Sequence, residues 1–250
     1  MSEAHYARIA GLYDAFVKTD YDVPFFLDEA RKRGGDILEL MAGTGRLTLP
    51  LLQAGFSVTC IDFSADMLRV LRDKLDAHNL TAEVHHLDVR DFDLGRRFKQ
   101  IFLPFQAFPE ITAEGDQRRA LQRIHAHLSD DGVFICTLHN PAVRLKSVDG
   151  QMRLAARQAL PDGGQLLVWL LQTHHAASNL VDVHEFFEEY DASGLLHAKR
   201  YSLLQFHLLE GAAFERLAAE SGFDVLALYG DYAYAPFDAA TSPFMIWLLR

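Results

Sequence analysis

Short uninterrupted apolar runs alternate along this chain with stretches in which apolar residues recur every three or four positions. The runs lie at Ile37–Leu40, Val58–Ile61, Ala82–His86, Gln100–Leu103 and Val133–Leu138. Strands buried on both faces read this way, so the pattern predicts an α/β fold: a doubly wound, mainly parallel sheet with helices on both faces. In "SADMLRVLRDKLDAH", Ser64 is placed to cap a helix whose inner face carries Met67, Leu68, Leu71 and Leu75. Gly55 in "QAGF" ends the helix before it. "RRALQRIHAHLSDDGVF" repeats the grammar, with Leu121, Ile124 and Leu128 as the stripe and a turn at Asp131–Gly132 before the fifth strand.

From 142 to 209 the period changes. "QLLVWLLQTHH", "LVDVHEFFEEY" and "HAKRYSLLQFHLLE" read as strands, and the separators "PDGG", "AASN" and "DASG" are hairpin signals. This predicts a small antiparallel insertion after strand five, serving as a lid or an assembly surface through which two copies pair. Alternation on "RYSLLQFHLL" puts Tyr201, Leu203, Gln205, His207 and Leu209 on one face, read as facing water or a partner subunit in preference to lining an acceptor pocket. Then follow a helix, "GAAFERLAAESGF", stopped at Gly222, and two strands, "DVLALYG" and "SPFMIWLLR", which make seven. We expect a single domain over 1–250, with 1–35 as an N-terminal helical cap.

Composition narrows the classes. A chain of 250 residues, half of them hydrophobic, can bury one sizeable core. The balance of 24 basic against 34 acidic residues, a net charge of -10, makes nucleic acid an unlikely partner. Cys60 and Cys136 sit inside apolar runs, away from other Cys or His at metal-ligand spacing, and read as buried reduced thiols of a cytoplasmic protein. The start "MSEAHYARIAGLYDAF" lacks a secretory pattern, and no window approaches the roughly 20 apolar residues of a membrane span.

The first strand runs into "AGTGR", the βα turn where open α/β sheets bind ligands. Gly43 and Gly45 let backbone approach a ligand closely. A dinucleotide fingerprint needs a third glycine where Thr48 stands, and no Gly-Lys-Ser/Thr of a phosphate loop follows. The acids decide the ligand class. Glu39, four residues before Gly43, is a poor neighbour for pyrophosphate and a good one for an ammonium. Asp62, ending the second strand, suits both hydroxyls of a ribose, and Asp88 after the third suits an exocyclic adenine amine. Adenine, ribose and an amino acid's ammonium together describe S-adenosyl-L-methionine.

At these residues the chain resembles the class I S-adenosylmethionine-dependent methyltransferases: "ILELMAGTGR", "VTCIDFSADML", "LDVRDF", "QIFLPFQAF" and "GVFICTLHNP" follow the family's motifs in order. The resemblance implies their Rossmann-like sheet, with "SPFMIWLLR" antiparallel beside the fifth strand. It also implies cofactor contacts from Ala42, Gly43, Gly45 and Arg46 of the turn, Phe63 and Met67 after Asp62, Val89 beside Asp88, and Leu103 at the end of strand four. Met41 stands where the family usually has a glycine. The N-terminal segment and the insertion are similar to those of small-molecule N- and O-methyltransferases, by which likeness Tyr13 and Tyr21 approach the cofactor's methionyl end and Arg46 its carboxylate.

A sulfonium methyl is already electrophilic, so the protein's work is alignment, exclusion of water and sometimes a base. His139, ending strand five, is the first candidate base, with a structural histidine before the Asn140–Pro141 turn as the equal alternative. The histidines of the insertion, His174, His175, His184, His197 and His207, show no metal motif, and Leu103, Pro104, Leu138 and His139 occupy the positions a metal-dependent pattern would need, so no metal is expected. Phe105, Phe108, Tyr229, Tyr232 and Tyr234 are available to shape a pocket or to fill core. The leading reading is methyl transfer to nitrogen or oxygen of a small molecule. The alternatives are a methyltransferase acting on tRNA or protein, and a non-catalytic S-adenosylmethionine sensor.

Overall fold

The computed structural model describes residues 3–250; Met1 and Ser2 of the predicted cap lie outside them. Two helices come first, α1 (Glu3–Phe16) and α2 (Val23–Arg33). The sheet then winds through β1 (Ile37–Leu40), α3 (Thr48–Gln53), β2 (Val58–Asp62), α4 (Ala65–Ala77), β3 (Glu83–His86), β4 (Phe98–Leu103), α5 (Glu114–Ala126) and β5 (Leu128–His139). A short helix α6 (Pro141–Arg144) leads into β6 (Met152–Ala159), β7 (Gln165–His175), β8 (Leu180–Tyr190) and β9 (Leu196–His207). The chain returns through α7 (Gly211–Glu220), β10 (Val225–Tyr229) and β11 (Phe244–Leu249).

The main sheet has seven strands in the order β10-β11-β5-β4-β1-β2-β3. β1 pairs in parallel with both β2 and β4, whereas β11 is antiparallel to β5 and β10. This is the Rossmann-like methyltransferase sheet. Every residue of β1 and β2 is buried, as the apolar runs require. Their side chains alternate between two cores. Leu38, Leu40 and Ile61 join Leu121, Ile124, Phe214 and Leu217 on the α5/α7 face. Ile37 and Cys60 join Phe25, Phe26, Leu51 and Leu71 on the α2/α3/α4 face. Ser64 caps α4 by accepting from the Met67 amide at 3.4 Å.

Three elements differ from the sequence expectation. β5 begins at Leu128, which is a strand residue and not the last member of the α5 stripe; Phe98 pairs with Leu128 and Gln100 with Val133, so Ser129–Gly132 bulge out within one strand. A 3-10 turn follows β4 at Phe108–Glu110. The insertion holds four strands, not three, in the order β6-β7-β8-β9. Its inner row, Leu166, Val168 and Phe187, packs on Ile9 of α1. Of the expected outer face, Tyr201, Leu203 and Gln205 are exposed, but His207 is half-buried and Leu209, past the end of β9, is buried in the main core; Ser202 and Phe206 turn inward. No helix among the described residues is long and apolar enough to cross a membrane.

Candidate functional site

The strand order reverses between β4 and β1, so the turns after them diverge and leave a crevice at the carboxyl ends. Residues 41–47 wrap one side of it. Met41 takes φ +54 and Gly43 φ +57, and the Gly43 amide donates to Asp62 Oδ2 at 2.8 Å. The other oxygen of Asp62 accepts from the Ser64 amide at 2.8 Å. Two backbone donors thus fix a buried carboxylate at the crevice mouth; burial raises its pKa, and those hydrogen bonds oppose the rise. Glu39 points from β1 into the same crevice and accepts from the Thr48 hydroxyl at 2.6 Å. Desolvation pushes its carboxyl up to about 7.

The cavity so formed encloses about 590 Å³, mouth included. Tyr13, Glu39, Ala42, Gly43, Arg46, Asp62, Phe63 and Met67, all expected from the sequence, line it. Five other expected residues do not. Gly45, at φ +83, lies behind the turn, where an added Cβ would overlap Leu71 Cδ1 and sit 2.9 Å from Leu49 Cδ1; its smallness serves the packing of α4. Val89 and Leu103 are core residues. Asp88 is engaged by Arg90, which donates to it from Nε at 2.9 Å and in turn reaches Asp116 at 2.8 Å. Tyr21 stacks on Phe244 with ring centres 5.5 Å apart and lines a second cavity instead. Arg46 does line the first, yet its two terminal nitrogens hold Asp22 at 2.5 and 2.6 Å, and its guanidinium lies over Phe105 at 4.4 Å.

The second cavity, about 1040 Å³ with its mouth, opens beneath the inner face of the insertion. The two cavities share Tyr6, Tyr13, Phe105 and Glu110 as walls. Phe105 and Gln106 have φ of +56 and +54, a strained pair for residues with side chains, held by Gln106 N to Thr137 Oγ1 at 3.1 Å and by the Gln106 amide to Tyr232 at 2.9 Å. His139 lines this cavity between Phe206 and Phe244. Burial, reinforced by Arg144, pulls its pKa down to about 3, so the imidazole is neutral and a feeble proton acceptor. This weakens the sequence-based case for His139 as a general base. Phe108 is core; Tyr234 hydrogen-bonds Asp28 and Glu29. No group of three or more potential metal ligands is found among the described residues.

Several residues at the cavities went unmarked in the sequence. Tyr6 of α1 donates to Glu110 at 2.7 Å, and Glu110 is pushed up to about 7 by burial. Thr44 donates to Asp14 of α1 at 2.6 Å. Glu185 and Arg144 stand in the second cavity.

Comparison with known proteins agrees with the expectation from the sequence: residues 37–132 of the chain match the family described as "Methyltransferase domain". Among individual proteins, it is 31% identical over 136 residues to the dTDP-3-amino-3,6-dideoxy-alpha-D-glucopyranose N,N-dimethyltransferase of Streptomyces fradiae, covering 51% of this chain and 52% of that one. It is 30% identical to the glycine/sarcosine N-methyltransferase of Halorhodospira halochloris over 51% of this chain and 48% of that protein. The aligned region thus spans about half the length of these curated relatives. A solved S-adenosylmethionine-dependent methyltransferase from Clostridium acetobutylicum shares the fold across 98% of both chains, with TM-score 0.82 at 17% identity.

Proposed function

We propose that the protein binds S-adenosyl-L-methionine in the crevice at the glycine turn and passes its methyl to a nitrogen or oxygen of a small molecule held in the adjoining cavity. The observation that carries this reading is the convergence of Gly43, Glu39 and Asp62 on one cavity that shares a wall with a second. The residues fit the cofactor: Gly43 offers backbone without a Cβ, and Asp62, held by two amides, keeps lone pairs for ribose hydroxyls. Glu39 supplies a buried acid for an ammonium. When bound, the cofactor brings a sulfonium-activated methyl, which leaves alignment and dehydration to the chain. Tyr6, Tyr13 and Phe105, walls of both cavities, would carry that alignment. The names of the two curated relatives, both N-methyltransferases, support nitrogen as the acceptor.

The insertion is proposed as the lid of the acceptor cavity. Met152, Leu154, Tyr201 and Leu203, exposed on its two edge strands, support a further role in pairing two copies. Two buried free thiols, Cys60 and Cys136, support a cytoplasmic location.

Calorimetric titration with S-adenosylmethionine and its demethylated product tests the cofactor assignment. We expect both to bind, and Asp62→Ala to weaken them roughly 10-fold or more, the worth of charge-assisted hydrogen bonds. Absence of binding to the wild-type protein overturns the reading.

A further inference from the structure

The second cavity holds a buried acid and a half-buried arginine that the proposed cofactor site does not use. Val181, Val183, Glu185 and Phe187 form the inward row of β8, and the other three are core residues, so Glu185 is an acid on an apolar row. It is 6% exposed, and its Oε2 has no hydrogen-bond partner. The nearest basic group, His5 Nε2, is 3.7 Å away. His5 is neutral: burial lowers its pKa to about 4, and its Nδ1 is engaged with Ser202 Oγ at 2.5 Å. Burial, and then Glu110, pushes Glu185 up to about 8. An unsatisfied carboxyl in such a place costs stability unless something else satisfies it.

Arg144 is its counterpart. It leaves α6 for the same cavity, lies over Phe206, and hydrogen-bonds Ser147 Oγ at 2.6 Å and the side chain of Gln172. No carboxylate pairs with it among the described residues, and burial lowers its pKa. Gln172 pairs with Val183 and Leu170 with Glu185, so the two charges attach one same-face step apart on the sheet, about 7 Å along the strand. Buried charges are normally paired with each other or with a ligand.

We infer that the acceptor carries both an amine and an anionic group, the amine received by Glu185 and the anion, a carboxylate or a phosphate, by Arg144. This rests on the methyltransferase reading and narrows its acceptor to nitrogen. The acceptor enters as an ammonium, which has no lone pair to attack with. On binding, Glu185 gives up its own proton to solvent and pairs with the ammonium as a carboxylate; it then takes one proton from the ammonium, freeing the pair on nitrogen. That pair forms the new N–C bond as the S–C bond breaks and its electrons stay on sulfur, giving a neutral thioether and an N-methylammonium product. Glu110, at the wall shared by the two cavities, is the second acid on the amine's side.

The test transfers labelled methyl from S-adenosylmethionine to matched probes: glycine and glucosamine 6-phosphate carry amine and anion, glycinamide and glucosamine lack the anion, and glycolate and glucose 6-phosphate lack the amine. Label is expected in glycine or glucosamine 6-phosphate, and which of the two tells carboxylate from phosphate. Glu185→Gln should lower kcat/KM at least 10-fold while binding of the demethylated cofactor changes less than 2-fold, and Arg144→Gln should raise KM for the anionic amine by a similar factor. Equal labelling of neutral amines, labelling of alcohols, wild-type turnover in either variant, or no label in any amine while the cofactor binds overturns the inference. Failure of the cofactor to bind strikes the methyltransferase reading instead. Should a variant not fold, the wild-type protein decides: at pH 7, binding of the labelled amine should release close to one proton, read by calorimetry in buffers of different ionisation enthalpy, and zero release overturns the proposal.

Discussion

Left-handed backbone concentrates where the two cavities are built. Met41, Phe105 and Gln106 all take positive φ in spite of their side chains, and such residues cost about 1–2 kcal/mol each over an ordinary conformation. Met41 explains its own oddity. The backbone there takes the left-handed conformation that a glycine adopts freely, and the side chain repays part of the strain by packing against the α5-side core. Gly45 has no such latitude, because a Cβ there would meet both Leu71 and Leu49. Gly45→Ala should therefore destabilise the protein by about 2–4 kcal/mol, the left-handed penalty plus overpacking, read as a lower midpoint in urea. A midpoint within error of wild type would show that Gly45 is not packed as described. Gly43→Ala meets nothing closer than Met67 Cε at 3.9 Å, so it should cost less than Gly45→Ala in stability and more in cofactor affinity.

At the scale of elements, α1 is the piece that joins the sites. Asp14 accepts from Thr44 of the glycine turn at 2.6 Å and from Lys74 of α4 at 2.8 Å, while Tyr6 reaches Glu110 and Ile9 packs under the insertion. Asp14→Ala removes both polar ties and leaves the apolar seat, so the cofactor's dissociation rate, measured by stopped flow, should rise several-fold with only a small change in melting temperature. An unchanged rate would mean that the apolar contacts alone hold α1 over the crevice. The central strands were legible in the sequence because burial on both faces leaves an unbroken apolar run. β6 was not: "MRLAARQA" consists of good helix formers, is mostly exposed, and owes its conformation to pairing with β7. The excursion in β5 was hidden for a related reason, since Asp130, Asp131 and Gly132 read as a turn whether or not a neighbouring strand continues past them. For the site, Glu39 and Asp62 were readable because strand ends are. Glu185 had a signal too, an acid in step with Val181, Val183 and Phe187, whereas Arg144 owes its place in the cavity largely to Gln172, 28 residues on, and to Phe206, and no local pattern reports those contacts.

For the molecule as a whole, the cost of these sites should be visible as a pH dependence of stability. Glu39 and Glu110 are raised to about 7 and Glu185 to about 8, in each case first by burial. In the unfolded chain they titrate near 4.3, so the native state binds more protons than the unfolded one. Their contribution is complete below that unfolded value and is lost as the pH climbs through 7 and 8. Buried His5 and His139, lowered to about 4 and about 3, work in the opposite sense, but only below the unfolded histidine value of about 6.5. Arg144, the remaining charge in the second cavity, does not titrate in this range. Between pH 6.5 and 8 the acids therefore act unopposed, and the cofactor-free protein should lose about 3 kcal/mol, a fall in Tm of roughly 6–12 °C for a chain of this size. Glu185→Gln should flatten the upper half of that slope, because only Glu185 still titrates near 8. Melting curves of the cofactor-free wild type and of Glu185→Gln across this window check both statements, and a wild-type Tm that stays level or climbs from pH 6.5 to 8 would mean that these three carboxyls are not buried as protonated acids.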